Sequence, residues 1–116
     1  MIIRKRDAEC IDFDGLGILD YTARLDGNAA SMAAIDIPPG TSHAESWSKR
    51  SDKYYLVTSG SIRFVLDNDR FDLDSGDFCL VKQGRKFSYR NVQAEPARLV
   101  LVHTPPFDLG SEVFTR

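Results

Sequence analysis

Three residues of this sequence carry side chains suited to moving protons or forming covalent intermediates: Lys53, Tyr55 and His103. Lys53 and Tyr55 stand two positions apart, as do Phe87 and Tyr89, so each pair shares one face of an extended strand. Burial lowers a lysine pKa, by up to roughly 3–5 units in extreme cases. A neutral Lys53 acts as base or nucleophile, and a charged one holds a carboxylate or phosphate. The competing reading is that Lys53 snorkels to solvent or pairs with Asp52 or Glu45. His103 closes the run Arg98-Leu99-Val100-Leu101-Val102-His103 and shares a face with Leu99 and Leu101. That face is the expected interior, because Arg98 occupies the other. An inward histidine there is either a hydrogen-bonded core residue or part of a pocket.

The second histidine, His43, lies with Glu45 just before Ser46 and Ser48. Side chains alternate faces along a strand. If Ser46 and Ser48 point inward, His43 and Glu45 point outward, and Trp47 does too. The cysteines are Cys10 and Cys79, with no C-x-x-C pair, so neither a disulfide scaffold nor a cysteine zinc site is expected. Cys79 lies in an apolar run and reads as packing.

The elements that must position these residues are short and punctuated. The 116 residues fit one domain, 1–116, of ordinary globular composition. Ile2-Ile3 reads as an edge strand. Further strands are expected over Gly15 to Tyr21, Ala30 to Ile37, Ser42 to Ser48, Lys53 to Thr58, Ser61 to Leu66, Phe71 to Leu73, Phe78 to Val81, Phe87 to Arg90 and Arg98 to His103. Turn residues separate them at Asp26-Gly27-Asn28, Pro38-Pro39-Gly40, Asp67-Asn68-Asp69 and Asp74-Ser75-Gly76-Asp77. No stretch sustains a helical apolar period, so an all-β sandwich or barrel with at most one short helix is predicted. The tail, 104–116, leaves the last strand at Pro105-Pro106. Its Phe107, Leu109, Val113 and Phe114 are expected to pack on the outside.

A net charge of -2 gives no global attraction to nucleic acid, and no partner of that kind is expected. The start of the chain has no apolar run long enough for a signal peptide or membrane span, which reads as cytoplasmic with no membrane partner. Lys49, Arg50, Lys82, Arg85, Lys86 and Arg90 form a basic group. It reads as a solvated surface, or as an anion-attracting rim if Lys82 to Lys86 form a loop at a cavity mouth.

Two spacings resemble the motifs of the cupin family. The pattern G-x5-H-x-H-x4-E-x6-G, laid on residues 40–60, puts Ser46 and Ser48 at the histidine positions, Lys53 at the glutamate and Gly60 at the final glycine. The pattern G-x5-P-x-G-x2-H-x3-N, laid on residues 76–91, puts Lys82 at the proline, Gly84 at the glycine, Phe87 at the histidine and Asn91 at the asparagine. The resemblance implies a single-domain cupin-like jelly-roll β-barrel. It does not carry the family's metal chemistry over. Serine hydroxyls are poor ligands for borderline transition metals, a protonated lysine repels the ion, and phenylalanine offers no donor. No metal and no other cofactor is therefore expected.

In a cupin-like barrel the former ligand positions line a cavity. Its wall would comprise Ser46, Ser48, Lys53, Tyr55, Phe87, Tyr89 and His103, aromatic surfaces with a few polar handles. The function expected is binding of a small anionic or sugar-like molecule without metal, with isomerase or epimerase chemistry by Lys53, Tyr55 or His103. Two alternatives stand beside it. One is a non-catalytic module that senses a metabolite or binds a partner protein. The other is a metal-dependent cupin using His43, Glu45 and His103. A homodimer is expected, with the Ile2-Ile3 strand as the pairing edge.

Overall fold

The computed structural model describes residues 1–115. Eleven strands follow one another: β1 (Glu9–Phe13), β2 (Leu16–Asp20), β3 (Ser31–Ile37), β4 (Ser42–Ser48), β5 (Asp52–Ser59), β6 (Ser61–Leu66), β7 (Asp69–Asp74), β8 (Phe78–Val81), β9 (Phe87–Arg90), β10 (Ala97–Thr104) and β11 (Glu112–Phe114). The helical content is two single 3-10 turns, at Lys5–Asp7 and, in the tail, at Leu109–Ser111. No helix among the described residues is long and apolar enough to cross a membrane.

The strands form two antiparallel sheets in jelly-roll fashion. One has the order β1-β2-β3-β10-β5-β8 and the other β11-β4-β9-β6-β7. Leu16, Ile35, Ile37, Val57, Ile62 and Phe64 fill the space between them. The chain passes between sheets at Gly40, Gly60, Gly76 and Gly84, all at positive φ. Gly60 is the tightest. Its φ is +72°, and a Cβ there would lie 2.8 Å from the Pro96 carbonyl oxygen. Asn91 is fully buried and pins the loop before β10. Its amide donates to the carbonyls of Ile37 and Glu95 at 2.9 and 2.8 Å, and its oxygen accepts from the Gln93 N–H at 2.9 Å.

Two expectations about the ends of the chain are overturned. Ile2-Ile3 is not a strand, and Ile2 is 78% exposed. The edge is β1, which the sequence reading missed. The Asp14-Gly15 turn, with both residues at positive φ, folds β1 back on β2 as a two-residue hairpin. At the other end the tail does not simply pack outside. Glu112–Phe114 pairs with β4, Val113 opposite Trp47, and completes the edge of the second sheet. An unpaired backbone edge on β4 provides the physical reason, since each added residue satisfies ladder groups.

Candidate functional site

A cavity of about 240 Å³ lies between the sheets and is open at one end. That is slightly under the roughly 300–1,000 Å³ of drug-sized ligand sites. Lys53, Tyr55, Tyr89 and His103 line it as expected. Ser46, Ser48 and Phe87 are buried and face inward but lie off the cavity wall. The Ser48 hydroxyl is occupied in a turn, accepting from the backbone N–H groups of Arg50 and Ser51.

His43 lines the same cavity, against the outward orientation predicted for it. The cause is a bulge. Between β4 and β9, His43 opposes Tyr89 and Ser46 opposes Phe87, so three steps on one strand match two on the other. One extra residue lets His43 and Ser46 face the same side. His43 packs at 5.1 Å from the Phe87 ring and 5.2 Å from the Tyr89 ring, centroid to centroid. Its Nδ1–H donates to the Ala44 carbonyl at 2.7 Å, which leaves the lone pair on Nε2. Burial, first, and the neighbouring Lys53 hold this imidazole below its usual pKa, while the Ala44 contact opposes them. It is neutral at neutral pH and a competent proton acceptor.

Lys53 is paired, but with neither Asp52 nor Glu45. Its ammonium donates to the Glu112 carboxylate on β11, and the two side chains are 4% and 6% exposed. Asp52 lies on the opposite face of β5 and takes Lys82 at 3.0 Å. The Lys53 ammonium also donates to His103 Nε2 at 3.0 Å and sits 5.1 Å over the Phe87 ring. Since the ammonium has only protons to give, His103 must accept through Nε2 and carry its proton on Nδ1. Burial, and then Lys53, push the His103 pKa down to about 3. Burial lowers Lys53 itself, opposed by Glu112. The cluster is thus a neutral histidine beside a compensated ion pair.

The two tyrosines are further polar groups of the wall, to which Asp20 and Ser31 also contribute. Burial raises the pKa of both tyrosines, with Tyr89 and Glu112 adding to the effect on Tyr55. Both stay protonated donors at neutral pH. The Tyr89 hydroxyl is buried and has no hydrogen-bond partner. At the open end the wall is apolar, with Phe13 and Phe114 in ring contact at 5.8 Å and with Ile11, Phe107 and Leu109.

Glu45 lies off the cavity and accepts from the Thr115 hydroxyl at 2.6 Å. The trio His43, Glu45 and His103 is therefore not assembled. Among the described residues no three His, Cys, Asp or Glu side chains converge as a metal site would require. The basic group is not a cavity rim either. Lys82 pairs with Asp52, Arg85 with Asp67, and none of Lys82 to Lys86 lines the cavity.

The comparisons with known proteins agree with this architecture. Residues 33–103, more than half of the chain, match the family described as the cupin domain. The chain is a cupin. Pac13 from Streptomyces, a nucleoside dehydratase, is 21% identical over 100% of this chain and 91% of its own, with a TM-score of 0.86. It has also been solved with uridine in forms with a histidine or a tyrosine replaced. A predicted oxalate decarboxylase from Thermotoga maritima is 17% identical over 90% of this chain and 99% of its own, with a TM-score of 0.81. KdgF from Halomonas sp. is 12% identical over 93% and 96%, with a TM-score of 0.80. At these identities the likeness is one of fold. Among curated proteins none matches this sequence.

Sequence reasoning placed His43 in the site only in the metal-dependent alternative, and it missed Glu112 and the aromatic mouth formed by Phe13, Phe107 and Phe114. The Asp14-Gly15 hairpin turn was a readable signal for Phe13. No local signal marks Glu112, whose partner is 59 positions away.

Proposed function

We propose that this cupin binds an uncharged, hydroxyl-bearing small molecule of sugar or nucleoside type and transfers a proton on it through His43. The observation that carries this reading is the Tyr89 hydroxyl, buried on the cavity wall without a partner. An unsatisfied buried donor costs about 1–3 kcal/mol, which a ligand oxygen would recover. The Lys53 charge is already compensated by Glu112, so the inner wall offers no net positive charge to an anion. This favours the sugar-like ligand over the anionic one. The apolar mouth suits a flat ring, and the polar inner wall suits hydroxyl or carbonyl oxygens.

In the proposed step His43 Nε2 takes a proton from a carbon beside a carbonyl. The electron pair of the broken C–H bond moves to the carbonyl oxygen, where a protonated Tyr89 or Tyr55 donates a hydrogen bond to the developing charge. Delivery of a proton to the opposite face of that carbon gives epimerisation, and delivery to the former carbonyl carbon, with the hydroxyl proton passing between the two oxygens, gives isomerisation. Collapse of the enolate re-forms the carbonyl and breaks the bond to a neighbouring hydroxyl, which takes the proton held by His43 and leaves as water, giving dehydration. The similarity in fold to a nucleoside dehydratase supports this class of chemistry.

A thermal-shift screen with free sugars, nucleosides and their phosphorylated forms tests the binding. A ligand at 100 times its dissociation constant stabilises by about 2.7 kcal/mol. Neutral compounds should shift the midpoint and their phosphates should shift it less. For a compound that binds, exchange of its carbon-bound proton for solvent deuterium, followed by NMR, tests the chemistry. His43→Asn should keep binding and lose exchange. A preference for phosphorylated compounds would contradict the ligand assignment. Binding without exchange in the unmodified protein would reduce the protein to a binding module.

A further inference from the structure

An ammonium group has three N–H donors and no lone pair. Two of those on Lys53 are placed, one on the Glu112 carboxylate and one on His103 Nε2. The hydrogen bond made at one ring nitrogen of a histidine decides the proton on the other. With Nε2 committed as an acceptor, the proton of His103 is on Nδ1. The contact does more than select a tautomer. Accepting from a cation at Nε2 draws electron density from the ring and makes the Nδ1–H a stronger donor. Glu112 completes the arrangement, because its carboxylate favours the protonated lysine against burial.

That Nδ1–H has no acceptor among the described residues. It is not sealed in, since the one fully buried side-chain N or O atom without a partner among them is the Tyr89 hydroxyl. His103 is 5% exposed and lines the cavity, so the small opening at Nδ1 is onto the cavity. The ring is held there from two sides. His103 stands directly opposite Lys53 in the ladder, and the Phe107 ring lies 5.2 Å away with its plane at 63°. Tyr55 is the diagonal neighbour, opposing Leu101 two residues before His103. Diagonal pairs lie about 7–8 Å apart, within reach of aromatic side chains. The Tyr55 ring in turn packs 5.9 Å from that of Tyr89 on the other sheet.

Resting on the proton-transfer reading above, we propose that His103 is a second catalytic residue, whose neutral imidazole donates Nδ1–H to the ligand oxygen on which charge develops, and that Lys53 is a positioning residue that fixes this tautomer. His103 loses no proton in the step. It lends a hydrogen bond that strengthens as the enolate forms, beside the bond from a tyrosine hydroxyl. Two preorganised donors converging on one oxygen make an oxyanion hole, and His43 remains the base. The pKa of about 3 keeps the ring uncharged at neutral pH, so it acts as a donor that is not itself a competing acid.

Nitrogen-15 NMR of the imidazoles at neutral pH tests the tautomer with no ligand present, and with two histidines in the chain the assignment is direct. His103 Nδ1 should show the shift of a protonated ring nitrogen and Nε2 that of an unprotonated one. The reverse pattern would overturn the proposal. In Lys53→Met combined with Glu112→Leu, which removes both charges, the second tautomer should appear. A double variant that keeps the single tautomer and the full reaction rate would overturn the role of Lys53. The rate is read with D-xylulose, a neutral ketose, as exchange of its carbon-bound proton for solvent deuterium. His103→Leu should lower the saturated rate about 100-fold with little change in KM, since a donor to an oxyanion acts in the transition state. His103→Asn, whose side-chain amide places an N–H near the Nδ1 position, should recover part of that loss, with dichroism spectra showing each variant folded. An unchanged rate in His103→Leu would overturn this proposal and leave the His43 reading standing. No exchange in the unmodified protein would overturn both.

Discussion

The Lys53 ammonium is buried against the Glu112 carboxylate, although the two residues stand 59 positions apart in the chain. The pair ties β5, deep in one sheet, to the three-residue edge strand β11 of the other. Glu112 is therefore both the counter-charge of the cavity lysine and an anchor for the tail.

Lys53→Met leaves the Glu112 carboxylate buried without its partner. Breaking one side of a buried ion pair costs about 3–5 kcal/mol. Urea unfolding of the single variant should show a loss of that order, and Lys53→Met combined with Glu112→Leu should recover most of it. A single variant as stable as the unmodified protein would show that the two charges are not coupled in solution.

Tyr89→Phe removes a buried hydroxyl that has no protein partner. Stability should hold or rise by about 1 kcal/mol, since an unsatisfied group is lost. Affinity for a ligand that uses the hydroxyl should fall by about 1 kcal/mol, roughly fivefold. Calorimetric titration of both proteins reads the two effects separately. A drop in stability with unchanged affinity would place the hydroxyl in a structural role.

The two cavity histidines predict an acid-sensitive fold. His103 is held down to about 3 and His43 below its usual value, so each folded imidazole resists the proton that the unfolded one takes near pH 6.5. The unfolded state binds more protons as pH falls, so stability present above about 6.5 is lost below it. For His103 the loss continues to about pH 3. Each histidine contributes at most about 1.4 kcal/mol per pH unit. Urea midpoints at pH 7.5 and 5 should differ accordingly, and His103→Gln should reduce the difference.

Gly60→Ala should destabilise more than any alanine substitution on the surface. The position combines a φ of +72° with a Cβ path 2.8 Å from the Pro96 carbonyl and 2.9 Å from Ala97. A non-glycine residue in that backbone region costs of order 1–3 kcal/mol before the clash is counted. Thermal unfolding should show the loss. Gly27→Ala, with positive φ but open space around it, should cost less.

Much of this architecture was legible along the chain because the determinants are local. The glycines at 40, 60, 76 and 84 stand where the chain changes sheets, which is why their spacing marks the family. Alternation put Lys53, Tyr55, Tyr89 and His103 on inward faces, and backbone pairing held them there. The replacement of Ser46, Ser48, Lys53 and Phe87 for the usual ligands was equally plain, since residue identity alone decides donor chemistry. Tertiary structure decided the rest. A single-residue bulge in β4 turned His43 inward, and alternation has no means of announcing where its period slips. The partner of Lys53 came from a tail whose only cue was three unremarkable residues seeking a sheet edge. With that contact the charge of the cavity was cancelled, because an ion pair depends on distance in space and not on separation in sequence.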